Sequence, residues 1–203
     1  MNKTVRAWDA HYQKDKSVLI IPDENLVRMT ANLSGGTALD FGAGSGRHIP
    51  WLRNLGFKVT ALDFSSSSVE QLVKYFPETP SVLAAEPPYE FTDNYFDLVV
   101  NWGVLHYNNE ETVVKILDEF SRILKPGGIL VGSIRSDKDT YLRAQDHAIK
   151  HPDLQDSYID LYSLERLTAL LSSFRDVRIG YTERTRPGDL EHRICHWIFH
   201  AKN

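Results

Sequence analysis

Apolar and polar positions along the chain alternate in a way that predicts short strands separated by amphipathic helices. Apolar runs of strand length occupy residues 37–40, 58–63, 81–86, 97–101 and 129–134. Helical spacing connects several of these runs, and in segment 110–124 the apolar stripe consists of Val113, Leu117, Phe120 and Leu124. Strands that alternate with helices are typical of an α/β domain with a mostly parallel sheet.

The two ends of the chain add further elements to this core. Apolar residues at Leu26, Met29 and Leu33 predict a helix that packs on the sheet. Near the other end, an amphipathic helix from Ser163 precedes two strands, at 177–183 and 193–200, that a hairpin loop joins. We therefore predict one domain over residues 1–203, made of N-terminal cap helices (1–36), a core (37–134), a polar, helix-like insertion (135–162) and a C-terminal helix with a strand pair (163–203).

A glycine-rich turn follows the first predicted strand. The sequence Asp40-Phe-Gly42-Ala43-Gly44-Ser-Gly46 leads from that strand into a helix that we expect to begin near Arg47. Glycines at alternate positions let the backbone turn sharply and approach a ligand closely. This order of strand, turn and helix is typical of a nucleotide site, although alternate glycines alone do not identify the nucleotide.

Two carboxylates favour a nucleoside with a cationic group over a dinucleotide. Asp40 lies two residues before the first glycine, where a carboxylate would repel a pyrophosphate. Asp63 ends the second predicted strand, at the spacing at which a βαβ unit places an acid against a ribose. Either acid could instead cap a turn or a helix, since short acids favour both positions.

Composition and charge narrow the classes of partner. With a formal net charge of -4, the chain offers no large basic surface for duplex nucleic acid, so we expect a small molecule or an exposed protein residue as partner. The single cysteine, Cys195, falls in a predicted strand, which favours a buried structural thiol. No stretch has the pattern of a signal peptide or a membrane span, so we expect a cytoplasmic protein that binds no membrane and no nucleic acid.

Four motifs in sequence order resemble those of the class I methyltransferases that use S-adenosylmethionine, in their small-molecule, type 11-like branch. They are the glycine-rich run 39–46, the strand 59–65, the strand and loop 91–107, and the turn and strand that begin at Leu124-Lys-Pro-Gly-Gly. The resemblance implies a Rossmann-like, three-layer fold whose mostly parallel seven-stranded sheet has an antiparallel last strand. It also implies S-adenosylmethionine as cofactor and S-adenosylhomocysteine as product.

The resemblance assigns residues to the cofactor. On matching positions it places Asp40, Gly42, Ala43, Gly44, Gly46, Asp63, Phe64, Asn101 and Trp102 against it. Tyr12 joins them if the N-terminal segment folds over the cofactor, as it often does in this family; aromatic anchoring of that segment is the alternative. The acid expected near the adenine is displaced by one position, because Ala85 occupies its usual place and Glu86 follows.

Candidate residues for the methyl acceptor lie in the second half of the chain. His106, in the loop after the fourth strand, is the candidate base, unless it only forms hydrogen bonds within the loop. The resemblance implies that the insertion is part of a substrate lid. Five arginines could bind a carboxylate or phosphate of the acceptor, with solvated surface arginines as the alternative, namely Arg135, Arg143, Arg184, Arg186 and Arg193. His147 and His151 stand one helical turn apart but lack a third ligand, so we expect no metal.

These observations predict a methyltransferase that moves a methyl group from S-adenosylmethionine, by in-line displacement, to an oxygen or nitrogen of a small molecule that is neutral or anionic. Two alternatives stay open, a protein-residue methyltransferase and a non-catalytic subunit that binds the cofactor. Enzymes that methylate planar amide or base nitrogens carry an Asn-Pro-Pro-Tyr sequence after the fourth strand. Here Asn101 is followed by Trp-Gly-Val, so that signature is absent. The sequence indicates neither the acceptor nor the oligomeric state.

Overall fold

Helices and strands alternate along most of the chain. The computed structural model describes residues 3–14, 19–142, 145–150, 154 and 157–203. Its α-helices are α1 (Lys3–Tyr12), α2 (Glu24–Thr30), α3 (Ile49–Asn54), α4 (Ser66–Tyr75), α5 (Glu110–Ile123) and α6 (Leu164–Leu170). Its strands are β1 (Gly36–Phe41), β2 (Phe57–Asp63), β3 (Ser81–Leu83), β4 (Phe96–Trp102), β5 (Leu124–Arg135), β6 (Arg175–Arg186) and β7 (Asp189–Lys202).

The seven strands form one sheet in the order β3-β2-β1-β4-β5-β7-β6. Strands β1 to β5 pair in parallel, while β7 pairs antiparallel with β5 and with β6. The predicted mostly parallel sheet with an antiparallel end is therefore confirmed. Because the chain builds outward from β1 in one direction and from β4 in the other, the strand order reverses between them, and ligands of open α/β sheets bind at the carboxyl edge of such a point.

Both faces of the central strands are buried, which explains their nearly continuous apolar sequence. On one face Leu39 and Phe41 of β1 pack with Phe120 of α5 and with residues of α6. On the other face Ala38 packs with residues of α2, α3 and α4, among them Leu72. The alternation along β1 thus sends successive side chains into two cores, and the helices form the outer layers of a three-layer sandwich.

Side-chain caps set the start of the helices that cover the sheet. Asn109 accepts a hydrogen bond from the backbone N–H of Thr112 at 2.9 Å, which satisfies a free donor in the first turn of α5. The predicted stripe on this helix is confirmed, since Val113, Leu117 and Phe120 are buried. Ser65 caps α4 in the same way.

The insertion corrects a prediction. Its described residues contain isolated β-bridges and no helix, contrary to the helix-like segment expected in 135–162. Left-handed backbone at Asp146 (φ 48°) and His147 (φ 59°) interrupts a helix there, and Ala148 instead bridges to Tyr158. Arg143 and His151, two residues of the predicted sites, lie outside the described residues.

Among the element boundaries that differ from expectation, two lie next to predicted cofactor residues. The third strand ends at Leu83 and not at Glu86, and the chain then passes through Pro87 and Pro88, which cannot donate to a ladder. The helix after the glycine-rich turn begins at Ile49, two residues later than Arg47, because the turn itself extends through the left-handed glycines up to Gly46. Neither shift changes the topology.

Two further findings bear on the nature of the protein. Cys195 is a free, buried thiol in β7, as predicted. Among the described residues, no helix is long and apolar enough to cross a membrane.

Gly132 marks a close approach between three strands and generates a test of the fold. A Cβ atom there would lie 2.4 Å from the ring of Phe199 on β7 and 2.7 Å from the carbonyl oxygen of Asn101 on β4. Gly132→Ala should therefore lower the free energy of unfolding by about 1–3 kcal/mol, measured by urea denaturation. Gly180→Ala on β6 is the matched control, since its Cβ would meet only the side chain of Ile198, at 3.1 Å. Equal losses in both variants would contradict this account of the sheet.

Candidate active site

A cavity of about 820 Å³ opens at the carboxyl edge of the sheet. The glycine-rich turn, the end of β2, the loop after β4, helix α1 and the hairpin of β6 and β7 all contribute to its lining. Its position beside the reversal of strand order is the one that the topology predicts for a ligand. The cavity is large enough for two small molecules side by side.

The glycine-rich turn brings the backbone against the cavity. Gly44 has φ 56°, and a Cβ atom on it would lie 2.4 Å from the hydroxyl oxygen of Tyr12. Only glycine tolerates both this backbone and this contact. The turn is held to β2, because the N–H groups of Gly42 and Ala43 both donate to the carbonyl of Leu62.

Asp63 ends β2 directly beside this turn. Its carboxylate accepts hydrogen bonds from the backbone N–H groups of Gly44 at 2.8 Å and Ser65 at 2.9 Å. Burial raises the pKa of Asp63, while those backbone donors act in the opposite direction. A buried carboxylate at a cavity wall, next to a turn without side chains, fits the hydroxyls of a ribose.

Asp40 lies deeper than Asp63. It is 1% exposed, does not line the cavity, and has its Oδ1 atom 3.5 Å from Nδ1 of His48. The second oxygen, Oδ2, has no hydrogen-bond partner among the described residues. Its neighbour His48 does line the cavity, so Asp40 would influence a ligand from next to this histidine.

Helix α1 covers the turn with aromatic side chains. Tyr12 stacks on Trp8 with ring centroids 5.7 Å apart, and Trp8 meets the edge of Tyr107 at 4.9 Å. The helix is attached to α4 by a hydrogen bond from the hydroxyl of Ser65 to Asp9, at 2.5 Å. Burial, followed by the charge of Asp63, raises the pKa of Tyr12, so its hydroxyl stays protonated. Tyr12 therefore both anchors α1 and lies against the nucleoside side of the cavity.

His106 lies on the other side of the cavity and is 1% exposed. Its Nδ1 atom accepts a hydrogen bond from the backbone N–H of Arg135 at 3.2 Å. A backbone N–H can only donate, so the neutral ring must carry its proton on Nε2, which has no other partner among the described residues. Burial, followed by the charge of Arg135, lowers the pKa of His106 well below its ordinary value. His106 thus presents a neutral N–H donor to a ligand.

Strands β5, β7 and β6 form the wall opposite the glycine-rich turn. In the register of the sheet, His196 lies directly between Arg135 on β5 and Thr182 on β6, and all three line the cavity. Burial, followed by the charges of Arg135, Arg184 and Arg47, lowers the pKa of His196 to about 3. Sequence reasoning missed His196, because alternation along a strand does not tell which face meets the cavity.

Comparison with known proteins bears on the nature of this cavity. The family model described as "Methyltransferase domain" matches residues 39–132, the stretch that contains the glycine-rich turn, Asp63 and His106. Over this stretch, which is somewhat less than half of its length, the chain is similar to the class I methyltransferases. The cofactor of that family is S-adenosylmethionine, and the glycine-rich turn with the carboxylate of Asp63 can accommodate its nucleoside.

Sequence relatives of the chain share only part of their length with it. Phosphoethanolamine N-methyltransferase 1 of Triticum aestivum is 33% identical over 101 residues, which cover 47% of this chain and 20% of the wheat protein. The mitochondrial arginine-hydroxylase NDUFAF5 of Homo sapiens is 34% identical over 101 residues, covering 48% of this chain and 28% of that protein. The chain thus spans less than a third of the length of these two relatives.

Solved structures match the chain over nearly its whole length. A methyltransferase of Methanosarcina mazei has a TM-score of 0.72 at 16% identity, covering 91% of this chain and 99% of that one. The 1,6-didemethyltoxoflavin-N1-methyltransferase of Burkholderia thailandensis, with S-adenosylhomocysteine bound, has a TM-score of 0.63 at 17% identity, covering 97% and 78%. At these identities the likeness shows the fold.

The structure brings most of the predicted cofactor residues to the cavity. Those in its lining are Tyr12, Gly42, Ala43, Gly44, Asp63, Phe64 and Trp102. Those outside the lining are Asp40, Gly46, Ala85, Glu86 and Asn101. Asn101 is fully buried, and neither polar atom of its side chain has a hydrogen-bond partner among the described residues. Ala85 and Glu86 are exposed, because β3 ends before them.

The predicted arginines separate into groups with different surroundings. Arg135, Arg184 and Arg186 line the cavity, whereas Arg193 does not and lies 3.9 Å from Glu183. Arg47, which follows the last glycine of the turn, lines the cavity too. It was not among the arginines predicted from sequence to bind the methyl acceptor. For the metal prediction, no group of three His, Cys, Asp or Glu side chains within the described ranges is arranged to hold an ion.

The hydrogen bond to His106 predicts its protonation. Histidine NMR should show the Nε2–H tautomer for His106 and no titration in the range of an ordinary histidine, because burial and Arg135 disfavour the imidazolium. The base role predicted for His106 conflicts with this geometry, since a base would need a free lone pair on Nε2. A His106 signal that titrates near its ordinary pKa, or that carries the proton on Nδ1, would contradict the assignment.

Proposed function

We propose that the protein transfers the methyl group of S-adenosylmethionine to an oxygen or nitrogen of a small molecule. The observation that carries this proposal is the continuity of the cavity, which joins Gly44 and Asp63 on one side to His106 and His196 on the other. A donor held on the first side and an acceptor on the second would share one enclosed volume. In-line displacement requires this arrangement.

The chain's contribution is mainly to bind and orient. When bound, the cofactor supplies a sulfonium-activated methyl group. Asp63 would accept hydrogen bonds from the ribose hydroxyls, the glycine-rich turn would lie against the nucleoside, and Tyr12, which covers Gly44, would exclude water. Holding donor and acceptor in line is worth up to about 7–11 kcal/mol of the barrier, so strong acid–base groups are not required.

On the acceptor side, His106 would act as a hydrogen-bond donor. Its Nε2–H, unpartnered within the described residues, can bind an acceptor oxygen and fix its orientation. A neutral amine needs no base to accept a methyl group, and an acceptor that arrives as an oxyanion needs none either. Both kinds of acceptor match a cavity wall whose histidines are neutral.

Three similar proteins bear on the class of acceptor in different ways. The name of the wheat relative, and that of the Burkholderia structure, describe methyl transfer to a nitrogen of a small molecule. The human relative is named as an arginine-hydroxylase. The first two support the small-molecule proposal, whereas the last indicates that a related sequence can serve another chemistry. A non-catalytic cofactor-binding subunit is the third possibility, and turnover distinguishes it.

A binding experiment tests the role of Asp63. Asp63→Ala should weaken S-adenosylhomocysteine binding about tenfold or more in calorimetric titrations, because the ribose loses a charge-assisted hydrogen-bond acceptor. Asp118→Ala, at an exposed position on α5, is the control and should bind as the wild type does. Undiminished affinity in Asp63→Ala would overturn the ribose assignment.

Turnover tests the reaction itself. Release of S-adenosylhomocysteine from S-adenosylmethionine should rise when a panel of small phenols, hydroxy acids and amines includes an acceptor, and Asp63→Ala should reduce it. Release with a peptide panel instead of small molecules would favour the protein-residue alternative. Tight cofactor binding without turnover on either panel would favour a non-catalytic subunit.

A further inference from the structure

Strands β5, β7 and β6, which form the cavity wall opposite the glycine-rich turn, carry a row of polar side chains. We call this surface the acceptor wall. Residues directly opposite one another in a sheet project to the same face. Arg135, His196 and Thr182 are such neighbours across β5, β7 and β6, and Arg184 follows two residues after Thr182 on the same face. We call Arg135, His196, Thr182 and Arg184 the arginine row. The next row along consists of Ser133, Ile198 and Gly180, and its two outer members are small.

The donors of this row are incompletely used. Arg135 is 8% exposed and pairs with Asp139 through Nη1 at 2.6 Å, yet its buried Nε has no hydrogen-bond partner among the described residues. Asp139 is shared, since its carboxylate also accepts from the backbone N–H of Cys195. A buried guanidinium N–H without an acceptor costs free energy, and a ligand oxygen would satisfy it.

Arg184 of this row and Arg47, which lies outside it, both face the cavity without ion pairs. Arg184 and Arg47 line the cavity, and within the described ranges neither has a carboxylate within ion-pair distance or a side-chain hydrogen bond. Burial lowers the pKa of Arg47, and the charge of Arg184 acts in the same direction while Asp23 opposes it. Two like charges on the lining of one cavity repel each other, and an anion bound between them would attract both.

The remaining charges near the row are already engaged. Arg186 lies over the ring of Tyr141, 4.3 Å from its centroid. Glu183 accepts from the hydroxyl of Tyr181 at 2.7 Å. Asp23 caps α2 through the N–H of Asn25 at 2.9 Å. Arg47 and Arg184 are therefore the cations of this wall best placed to receive a ligand.

We propose that the methyl acceptor carries a carboxylate or phosphate group, and that Arg184, Arg47 and the Nε–H of Arg135 bind this group beside His196. This inference rests on the proposed function and adds the chemical class of its substrate. The guanidinium forks match the oxygens of either anion. With its anion held by these three arginines, the acceptor's reacting atom lies on the side of His106, whose Nε2–H helps to orient it.

The cofactor's own carboxylate is the other possible source of this chemistry. Sheet order argues for the acceptor at Arg184, because β6, which carries Arg184, is separated from β2, which carries Asp63, by β1, β4, β5 and β7. Five strand spacings amount to about 24 Å. An experiment can separate the two sources, because cofactor binding and anion binding are measured independently.

The probe is inorganic phosphate, titrated into protein saturated with S-adenosylhomocysteine at constant ionic strength. Backbone amide signals of residues 133–136 and 194–197 in ¹H–¹⁵N spectra should shift and saturate. Arg184→Gln and Arg47→Gln should weaken phosphate binding about tenfold or more, and Arg184→Gln should leave S-adenosylhomocysteine affinity unchanged in calorimetry. Arg178→Gln is the matched control, since Arg178 is exposed on the same strand and does not line the cavity.

Each contrary result has a distinct meaning. Phosphate that leaves those amides unmoved, or that binds Arg184→Gln as tightly as the wild type, would overturn the inference while cofactor binding stays intact. Weaker S-adenosylhomocysteine binding in Arg184→Gln would also overturn it, by assigning the arginine to the cofactor's carboxylate. Failure of the wild type to bind S-adenosylhomocysteine would instead contradict the proposed function.

Turnover provides a second readout. Among matched acceptors, a hydroxy or amino carboxylate should be methylated faster than its methyl ester at equal concentration, and Arg184→Gln should raise KM for the anionic member with little change in kcat. Equal turnover of the anion and its neutral ester in the wild type would contradict the proposal.

Discussion

The buried carboxylate of Asp63 connects more of this site than any other group. It accepts hydrogen bonds from Gly44 in the turn after β1 and from Ser65 at the start of α4. Ser65 in turn donates to Asp9, so that helix α1 is attached through the same node. Burial raises the pKa of Asp63. At pH values above the pKa that this carboxyl has in the unfolded chain, keeping it ionised in the folded protein therefore lowers the free energy of unfolding. Its hydrogen bonds offset part of that cost, and we expect the hydroxyls of the cofactor to offset more.

Local sequence was enough to predict the part of the fold that surrounds this node. Strands β1, β2, β4 and β5 were recognised from their apolar runs, and the turn was recognised because its backbone requires glycine. The insertion was mispredicted, since its described residues follow long-range bridges, such as that between Ser136 and Tyr162, and not a helical period. Patterns within a segment carry no information about such partners.

The acceptor wall could not be predicted for a related reason. Its arginine row exists only in the register of three strands that are far apart in sequence, β5 near residue 135 and the β6–β7 hairpin near 182–196. The five arginines named from sequence included three that line the cavity, Arg135, Arg184 and Arg186, but Arg47 was not among them, and His196 was not named either. Likewise His106 was recognised, but its donor role depends on one backbone N–H from β5.

The central claim is that cofactor and acceptor occupy opposite sides of one cavity. The most direct measurement is a crystal structure of the protein with S-adenosylhomocysteine. We predict the ribose against Asp63, the adenosine beneath Tyr12, and the sulfur directed towards His106, with the space in front of Arg184 left open to a second molecule. A homocysteine portion that fills the space before Arg184, or a sulfur that points away from His106, would contradict the account.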